Sequence, residues 1–392
     1  YNDDYNTTGA RASYPLSAQT NGGGLSPDMG AQEMDLTPAD FTGPSIIYIP
    51  LANTTDTSAL TLTATISDAS GVPTSGAGLP VLYWRVGNSG PYLNAIATWV
   101  SGNTYTFTFG GGSAKYQIQY FIAAQDNAAT PNVSITGIGS SGTSTNPPAC
   151  STPPTTTNLY TILSIWNGTY VIGGNAAGPA SGADYVSLGE AMADVTPTQI
   201  KSVYLSAGGS GYVTAPVITF TGGGGIGAQA TAFISGGVVT RILITSVGSG
   251  YTSAPTVVIT SATGTGAAAT ANLSTGKALS GPVTLSLSSN YDGTLYEGIF
   301  PITISDMGQT ATNTLTIKPA AGVSASISGN SGTSIFYLNG ADYTTIDGSN
   351  NGTASRNLSV TNTSIGATTS VIQIRSLGAG LGATNNAIKN LN

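Results

Sequence analysis

Five acidic side chains in the last third of the chain, Asp292, Glu297, Asp306, Asp342 and Asp347, are of the type that breaks sugar bonds. Two carboxylates on one face can cleave a glycoside, one as acid and the other as base or nucleophile. Acidic calcium ligands beside a Lys or Arg base are a second route. Histidine, the usual base near neutral pH, is absent from the whole sequence. The local settings favour turns instead. Asp292-Gly293 and Asp347-Gly348 are turn dipeptides, and Asp342 in NGADY reads as a corner residue. Lys318, Lys389, Arg356 and Arg375 stand apart from one another and read as solvated. No convergent acidic cluster is visible, so the reading assigns no catalytic residue; a carbohydrate-active enzyme is the alternative.

Other candidates are weighed in the same way. Tyr212 and Tyr251 each follow Ser-Gly, and as exposed rings they would be stacking platforms for sugars. The competing reading packs each ring over the Pro of its own unit. Asp126 and Asn127, with Asp68, could contribute to a calcium site, but no D-x-D-x-D loop supports one, and turn capping is preferred. No cofactor is expected. Cys150 is the single cysteine, in TNPPACSTPP, with no histidine to activate it and no disulfide partner within the chain. Asn53, Asn132 and Asn167 match N-x-S/T, a short pattern to which no site is assigned.

The elements that must carry these residues are strands. Only 7% of the 392 residues are charged, while 53 are Gly, which disfavours helices and suits turn-rich β-structure. In ALTLTATISD (59–68), Leu60, Leu62, Ala64 and Ile66 alternate with Thr61, Thr63 and Thr65. That is the period of a half-buried strand. SIIYIPL, VLYWRV, TYTFTF, YQIQYFIAAQD and LYTIL behave alike, with turns about ten residues apart, and predict a β-sandwich over 43–163. Ser187-Leu188-Gly189-Glu190 is a capping box, with Leu188, Ala191, Met192 and Val195 on one face of the one convincing helix.

The sequence then repeats. GGSGYVTAPVITFTG (208–222) returns as VGSGYTSAPTVVITS (247–261), with Tyr212 and Tyr251 39 residues apart. Two such units are too few for a solenoid, so 201–280 reads as an all-β insertion whose ends, Ile200 and Gly281, lie close together. Nine short strands follow: GPVTLSLSS, FPITIS, NTLTIKP, SASISG, SIFYLNG, YTTIDGS, RNLSVTN, SVIQIRS and NAIKNLN. They suit a right-handed parallel β-helix of about 20–25 residues per coil, with Asn ladders at its corners. Leu338 to Leu358 and Ile346 to Val371 fit that spacing.

Several stretches resemble known modules. GPxIxYxPLxNT, LTLTATISDASGV, PVLYWRV and YQIQYFIAAQD resemble Ig-like domains of proteins secreted by the type IX route. YVIGG, ADYVSLGEAM, GPVTLSLSSNYDGTLYEG, NTLTIKP and FYLNGADYTTIDG resemble the opening of a pectate-lyase-like β-helix, with the helix Ser187–Val195 as its cap. SPDMGAQEMD (26–35) resembles the close of such a β-helix. The resemblance implies 1–42 as the end of a preceding β-helix, 43–163 as an Ig-like sandwich, and 164–200 with 281–392 as cap helix and first coils. The chain, which begins at Tyr1 without an initiator Met, is then a window on a longer repetitive protein.

What this implies is a non-catalytic segment of a large secreted adhesin or fibre at a bacterial cell surface, of the kind used in gliding motility. Its partners would be glycans or surfaces, further modules of the same polypeptide, and the secretion or motility machinery. Nucleic acid is not expected, since ten Lys and Arg against 17 Asp and Glu give no basic stripe. No run of eighteen apolar residues is present to cross a membrane as a helix.

Overall fold

The computed structural model describes residues 40–392; the segment 26–35 and nearly all of 1–42 lie outside them. The described chain is all-β apart from one short helix. Three separate hydrophobic cores organise it.

The first core lies between two antiparallel sheets. One has the order β1 (Ser45–Tyr48), β2 (Leu60–Ser67), β6 (Thr104–Phe109), β5 (Thr98–Ser101). The other has the order β11 (Asn158–Thr161), β7 (Gln117–Gln125), β3 (Val81–Val86), β4 (Leu93–Ile96), and β8 (Val133–Ile135) also pairs with β7. The alternation read from the sequence is the alternation of burial: Leu62, Ala64 and Ile66 of β2 face Ile118, Tyr120 and Ile122 of β7 across one core. Thr61 and Thr63 pair with Thr108 and Thr106 on the wet face. The Pro/Ser/Thr segment before β11 is not a bare linker. It forms a hairpin, β9 (Ser141–Ser144) with β10 (Ala149–Thr152), which carries Cys150.

Only Ile162 and Leu163 separate β11 from β12 (Ser164–Ile172), which opens a stack of parallel strands. A small hairpin follows, β13 (Gly174–Asn175) with β14 (Gly178–Pro179), and then helix α1 (Leu188–Ala193). Leu188 and Ala191 are buried, with Met192 and Val195 packed against the same core, as the helical face predicts.

The repeats form strands β15 (Ile200–Ser210), β16 (Val217–Thr221), β17 (Ile226–Ser235), β18 (Val238–Ser249), β19 (Thr256–Thr260) and β20 (Thr265–Leu273). Their pairing is an exchange. β15 of the first unit pairs with β20 of the second, β18 of the second pairs with β17 of the first, and β16 pairs with β19. In the last pair Ile218 faces Ile259 and Phe220 faces Val257, the register of a local two-fold axis. The aromatic anchors cross over too. A Cβ on Gly264 would run into the Tyr212 ring, and one on Gly225 into the Tyr251 ring. Each unit therefore supplies the glycine on which the other's tyrosine lies.

The ends of the insertion meet: Ser274 N donates to Gln199 O and Gln199 N to Ser274 Oγ, each at 2.9 Å. This moves the expected boundary. Residues 277–280 belong to β21 (Lys277–Leu287), where Ala278 and Leu279 already pair with Ile165 and Trp166 of β12.

All nine tail strands form: β21, β22 (Ile302–Ser305), β23 (Leu315–Pro319), β24 (Ala325–Gly329), β25 (Phe336–Asn339), β26 (Thr344–Asp347), β27 (Leu358–Asn362), β28 (Ile372–Arg375) and β29 (Ala387–Lys389). They build three parallel sheets: β12-β21-β23-β26-β29, β22-β25-β28 and β24-β27. Leu285, Ile317, Ile346 and Ile388 stack in register on the first, Ile304, Leu338 and Ile374 on the second, Ile327 and Val360 on the third. The steps between stacked residues run from 29 (Ile317 to Ile346) to 42 (Ile346 to Ile388), longer than the spacing expected. Leu338 does not stack on Leu358, nor Ile346 on Val371. Leu338 and Leu358 occupy different sheets, and Val371 lies just before β28, because three strands and the turns between them separate stacked positions. Asparagines clamp successive coils individually rather than in ladders. Asn362 Nδ2 donates to Ser331 O and Ser370 O, and Asn386 Nδ2 to Ala341 O.

The crossed tyrosines give a direct test. Gly264→Ala should cost about 1–3 kcal/mol through overpacking, and Tyr212→Ala about 3–5 kcal/mol through the cavity it leaves. In the double variant the glycine substitution should cost almost nothing, since its clash has gone. Urea unfolding of all four proteins checks this; additive losses would show that the two residues do not share one packing site.

Candidate functional site

The chemistry-bearing side chains converge where the insertion meets the parallel stack. A helix start leaves amide groups without partners. In α1, Ser187 is the N-cap, with extended backbone (φ −139, ψ 163), and its Oγ accepts from Glu190 N at 3.1 Å. The capping box is not closed in the usual way. Glu190 Oε2 reaches one residue further and accepts from Val186 N at 2.8 Å. Its Oε1 accepts from Ser202 Oγ at 2.8 Å and from the Tyr204 hydroxyl, both on β15.

The amides of Leu188 and Gly189 go to Glu297, more than a hundred residues on. Leu188 N donates to Oε1 at 2.7 Å and Gly189 N to Oε2 at 2.8 Å, while the Tyr291 hydroxyl donates to Oε1 at 2.8 Å. Gly at 189 leaves the space: a Cβ there would sit 3.0 Å from Oε2. At the other end of α1, buried Asp194 accepts from Thr275 N (2.7 Å) and the Tyr185 hydroxyl (2.9 Å). It also pairs with Lys201 Nζ at 3.3 Å and Lys277 Nζ at 3.7 Å.

Burial is the main influence on these groups. It pushes the carboxyls of Glu190 and Glu297 above the ordinary range, against the pull of the hydrogen bonds they accept. It raises the phenols of Tyr185, Tyr204 and Tyr291 and lowers the Lys277 ammonium. Two buried carboxyls with raised pKa have the profile of an acid–base pair. Their oxygens, however, already serve the helix and β15, and that describes a structural clamp.

Beside the clamp runs a cleft of about 330 Å³ between insertion and stack. Thr231 and Phe233 of β17 and Arg241, Leu243 and Thr245 of β18 form one wall, and Gly298, Phe300 and Asn330 are on the other. Arg241 faces Phe233 across the strands, its guanidinium 3.8 Å from the ring centroid. Gly298 allows the approach, because a Cβ there would lie 3.1 Å from that of Leu243.

The other acidic candidates are dispersed among turns. Asp292 Oδ1 accepts from Thr294 N and Leu295 N, and Asp306 Oδ1 from Gly308 N. Asp342 bonds Thr384 of the next coil, whose hydroxyl and amide hold its carboxyl below the usual range. At Asp347 burial pushes upward, but Asn390, the Ser349 amide and Lys389 outweigh it and hold the carboxyl low. Asp342 and Asp347 thus tie coil to coil.

Tyr212 and Tyr251 are 4% and 2% exposed, which corrects their reading as stacking platforms: neither has a free face. Both rings are packed inside the fold, and each lies on a glycine of the other unit. Near the first pair of sheets, Asp68 and Asp126 do come together, with Asp40 as a third member; oxygens of all three lie within 4.8 Å. Such carboxylates have the donor chemistry for a hard cation. Turn bonds orient each carboxylate: Asp40 takes Thr42 N, Asp68 takes Ser70 N, and Asp126 takes Asn132 N. Cys150 is half-buried and its thiol is pushed up by burial, which lowers its thiolate content. Asn53 accepts from Thr161 N as part of the fold.

No protein-family model and no curated protein matches this chain.

Sequence reasoning missed Arg241, Asp194, Lys201, Tyr204 and Lys277. One signal was present. In the 39-residue alignment Ser202 and Tyr204 correspond to Arg241 and Leu243, so the copies diverge on the strands that meet the stack.

The raised Glu297 pKa makes a pH prediction. A carboxyl whose folded value lies above its unfolded value favours folding when protonated, so stability falls as pH rises from the unfolded pKa through the folded one. Glu297→Gln keeps the shape without the ionisation. The stability of wild type relative to this variant should fall from pH 4 to pH 8 in urea unfolding. A parallel pH course for the two proteins would show that Glu297 is not destabilised by its burial.

Proposed function

We propose that the chain is a non-catalytic segment of a secreted bacterial surface adhesin or fibre, which holds weak glycan- or surface-binding faces in rigid tandem array. In this reading residues 43–163 are an Ig-like sandwich, and residues from 164 onward are the cap helix and first coils of a right-handed parallel β-helix, interrupted by the exchanged repeats. The machinery of type IX secretion and gliding motility would be its cellular partner.

The observation that carries the reading is the stiffness of the joint. Two residues, Ile162 and Leu163, link β11 to β12, and both are bonded to the preceding chain, Ile162 to Tyr116 and Leu163 to Thr54. Thr54 N donates to Thr161 O at 3.1 Å, Leu163 N to Thr54 O at 2.6 Å, and Ser164 N to Gly276 O at 3.0 Å. Asn88 Nδ2, between β3 and β4, adds a bond to Thr252 Oγ1 of the insertion at 2.6 Å. A hinge would require a segment free of such bonds. Rigid spacing is what makes many weak contacts add, because a second site then meets its target at high effective concentration. The wet strand faces are Thr and Ser with few charges, a surface suited to hydrated polymers.

Beads carrying the chain at low and high density, passed over surfaces coated with neutral polysaccharide, test this. Retention under flow should rise by about a hundredfold or more with density. Retention that is absent, or independent of density, would refute multivalent attachment. A polysaccharide product released in the same chamber would refute the non-catalytic part.

A further inference from the structure

Of the cations in this charge-poor chain, Arg241 is set apart by what surrounds it. Lys201 and Lys277 are paired with Asp194, and Lys389 with Asp347. Arg85 donates to Gln119 and Gly90, Arg356 to Leu391 O, and Arg375 to the Tyr337 hydroxyl. Arg241, like Lys115 and Lys318, makes no side-chain hydrogen bond or ion pair among the described residues, but of these three only Arg241 has a buried nitrogen, Nε, without an acceptor. A guanidinium carries five donors and stays charged at any relevant pH, so this arrangement leaves a strong donor set unmet.

The group is also held in place. Ile242 and Ile244, on the opposite face of β18, are buried in the core of the insertion, which points Arg241, Leu243 and Thr245 the other way, into the cleft. The Phe233 ring at 3.8 Å fixes the plane of the guanidinium. Hydroxyl and amide groups surround it: Thr231, Thr245, Thr294, Ser328 and Asn330 line the same cleft. Phe233 and Phe300 supply two apolar ring surfaces, Phe300 resting on Gly329. The volume of about 330 Å³ is that of a small-molecule site.

We propose that this cleft binds a carboxylated sugar, with the guanidinium of Arg241 gripping the carboxylate and the hydroxyl and amide groups engaging the sugar hydroxyls. The planar fork matches a carboxylate through two parallel bonds. Thr, Ser and Asn match ring hydroxyls, and the Phe faces match the C–H surface of a pyranose. The one carboxylate lining the cleft, Glu297, already accepts from Leu188 N, Gly189 N and the Tyr291 hydroxyl. Glu190, near the other side of Arg241, is equally engaged with Val186, Ser202 and Tyr204. A single anionic sugar fits one unmet cation, whereas a densely charged polyanion would meet a chain of net charge −7. The proposal rests on the glycan-attachment reading and names the ligand class for one face of it.

Titration of the whole chain with glucuronate and with glucose, followed by NMR or calorimetry, tests the site. Glucuronate should bind saturably and at least about tenfold more tightly than glucose, the loss expected for one charge-assisted pair. Arg241→Met, which keeps the stem over Phe233, should abolish that preference, and Arg241→Lys should restore only part of it. Asn330→Ala, on the opposite wall of the cleft, should weaken both sugars and leave their ratio unchanged. An unchanged urea midpoint in each variant certifies the fold. Equal binding of the two sugars, no saturable glucuronate binding, or a preference retained in Arg241→Met would overturn the proposal. Density-dependent retention on neutral polysaccharide alongside any of these results would leave the attachment reading standing and remove only this site.

Discussion

Glu297 and Glu190 fasten three parts of the chain at one place: the short helix α1, the first strand of the insertion, and the segment between β21 and β22. A stack of parallel strands has an exposed apolar end unless something covers it. Helix α1 adds Leu188 and Ala191 to the core of the stack. A six-residue helix is far too short to be stable alone. It persists because its free amides are received by carboxylates from elsewhere, and because Asp194 anchors its far end to Thr275, Lys201 and Lys277. The cost is the burial of ionisable groups, which shows in their raised pKa values.

That clamp also decides what the insertion can be. Two copies of a 39-residue unit meet about a local two-fold axis and exchange strands and tyrosines, so neither unit is a domain by itself. Symmetry of this kind is satisfied within the insertion and gives no reason for it to face the stack in one orientation. Orientation comes from the divergence of the copies. Ser202 and Tyr204 reach Glu190, while their counterparts Arg241 and Leu243 border the cleft. The half of the repeat that keeps its sequence builds the scaffold, and the half that changes builds the junction.

Much of this was legible because β-structure writes itself locally. Period-two alternation located β2, β3, β6 and β7, and the nine tail strands could each be read from four to six residues. The capping-box pattern located α1. What failed was everything that depends on distance along the chain. Coil length mixes three strands with turns of variable size, so matching Leu338 to Leu358 joined different sheets. The insertion boundary was placed at 280 because the repeat ends without a sharp composition change, although β21 begins at Lys277. Glu190 was recognised as a cap, but its actual partners, Val186 and the Tyr204 hydroxyl, are set by tertiary packing. Tyr212 and Tyr251 stood out as recurring aromatics; their burial against glycines of the opposite unit follows from the exchange, which a repeat alone does not reveal.

The scarcity of charge explains why the few charged groups are informative. With 7% of residues charged, the chain has little surface electrostatics from which incidental ion pairs could arise. Where charges do occur inside, each makes a defined connection. Asp194 joins the base of the insertion to α1, and Asp347 joins one coil to the next through Lys389 and Asn390. Against this pattern a half-buried guanidinium without an acceptor stands out more than it would on an ordinary charged surface. Exposed arginine stems usually find a carboxylate or carbonyl by moving. Arg241 is stacked on a phenylalanine ring at the edge of the cleft, and among the described residues its guanidinium meets no acceptor. Its hydrogen bonds must go to water or to a ligand, and the hydroxyl-lined, ring-walled shape of the cleft is what favours the ligand.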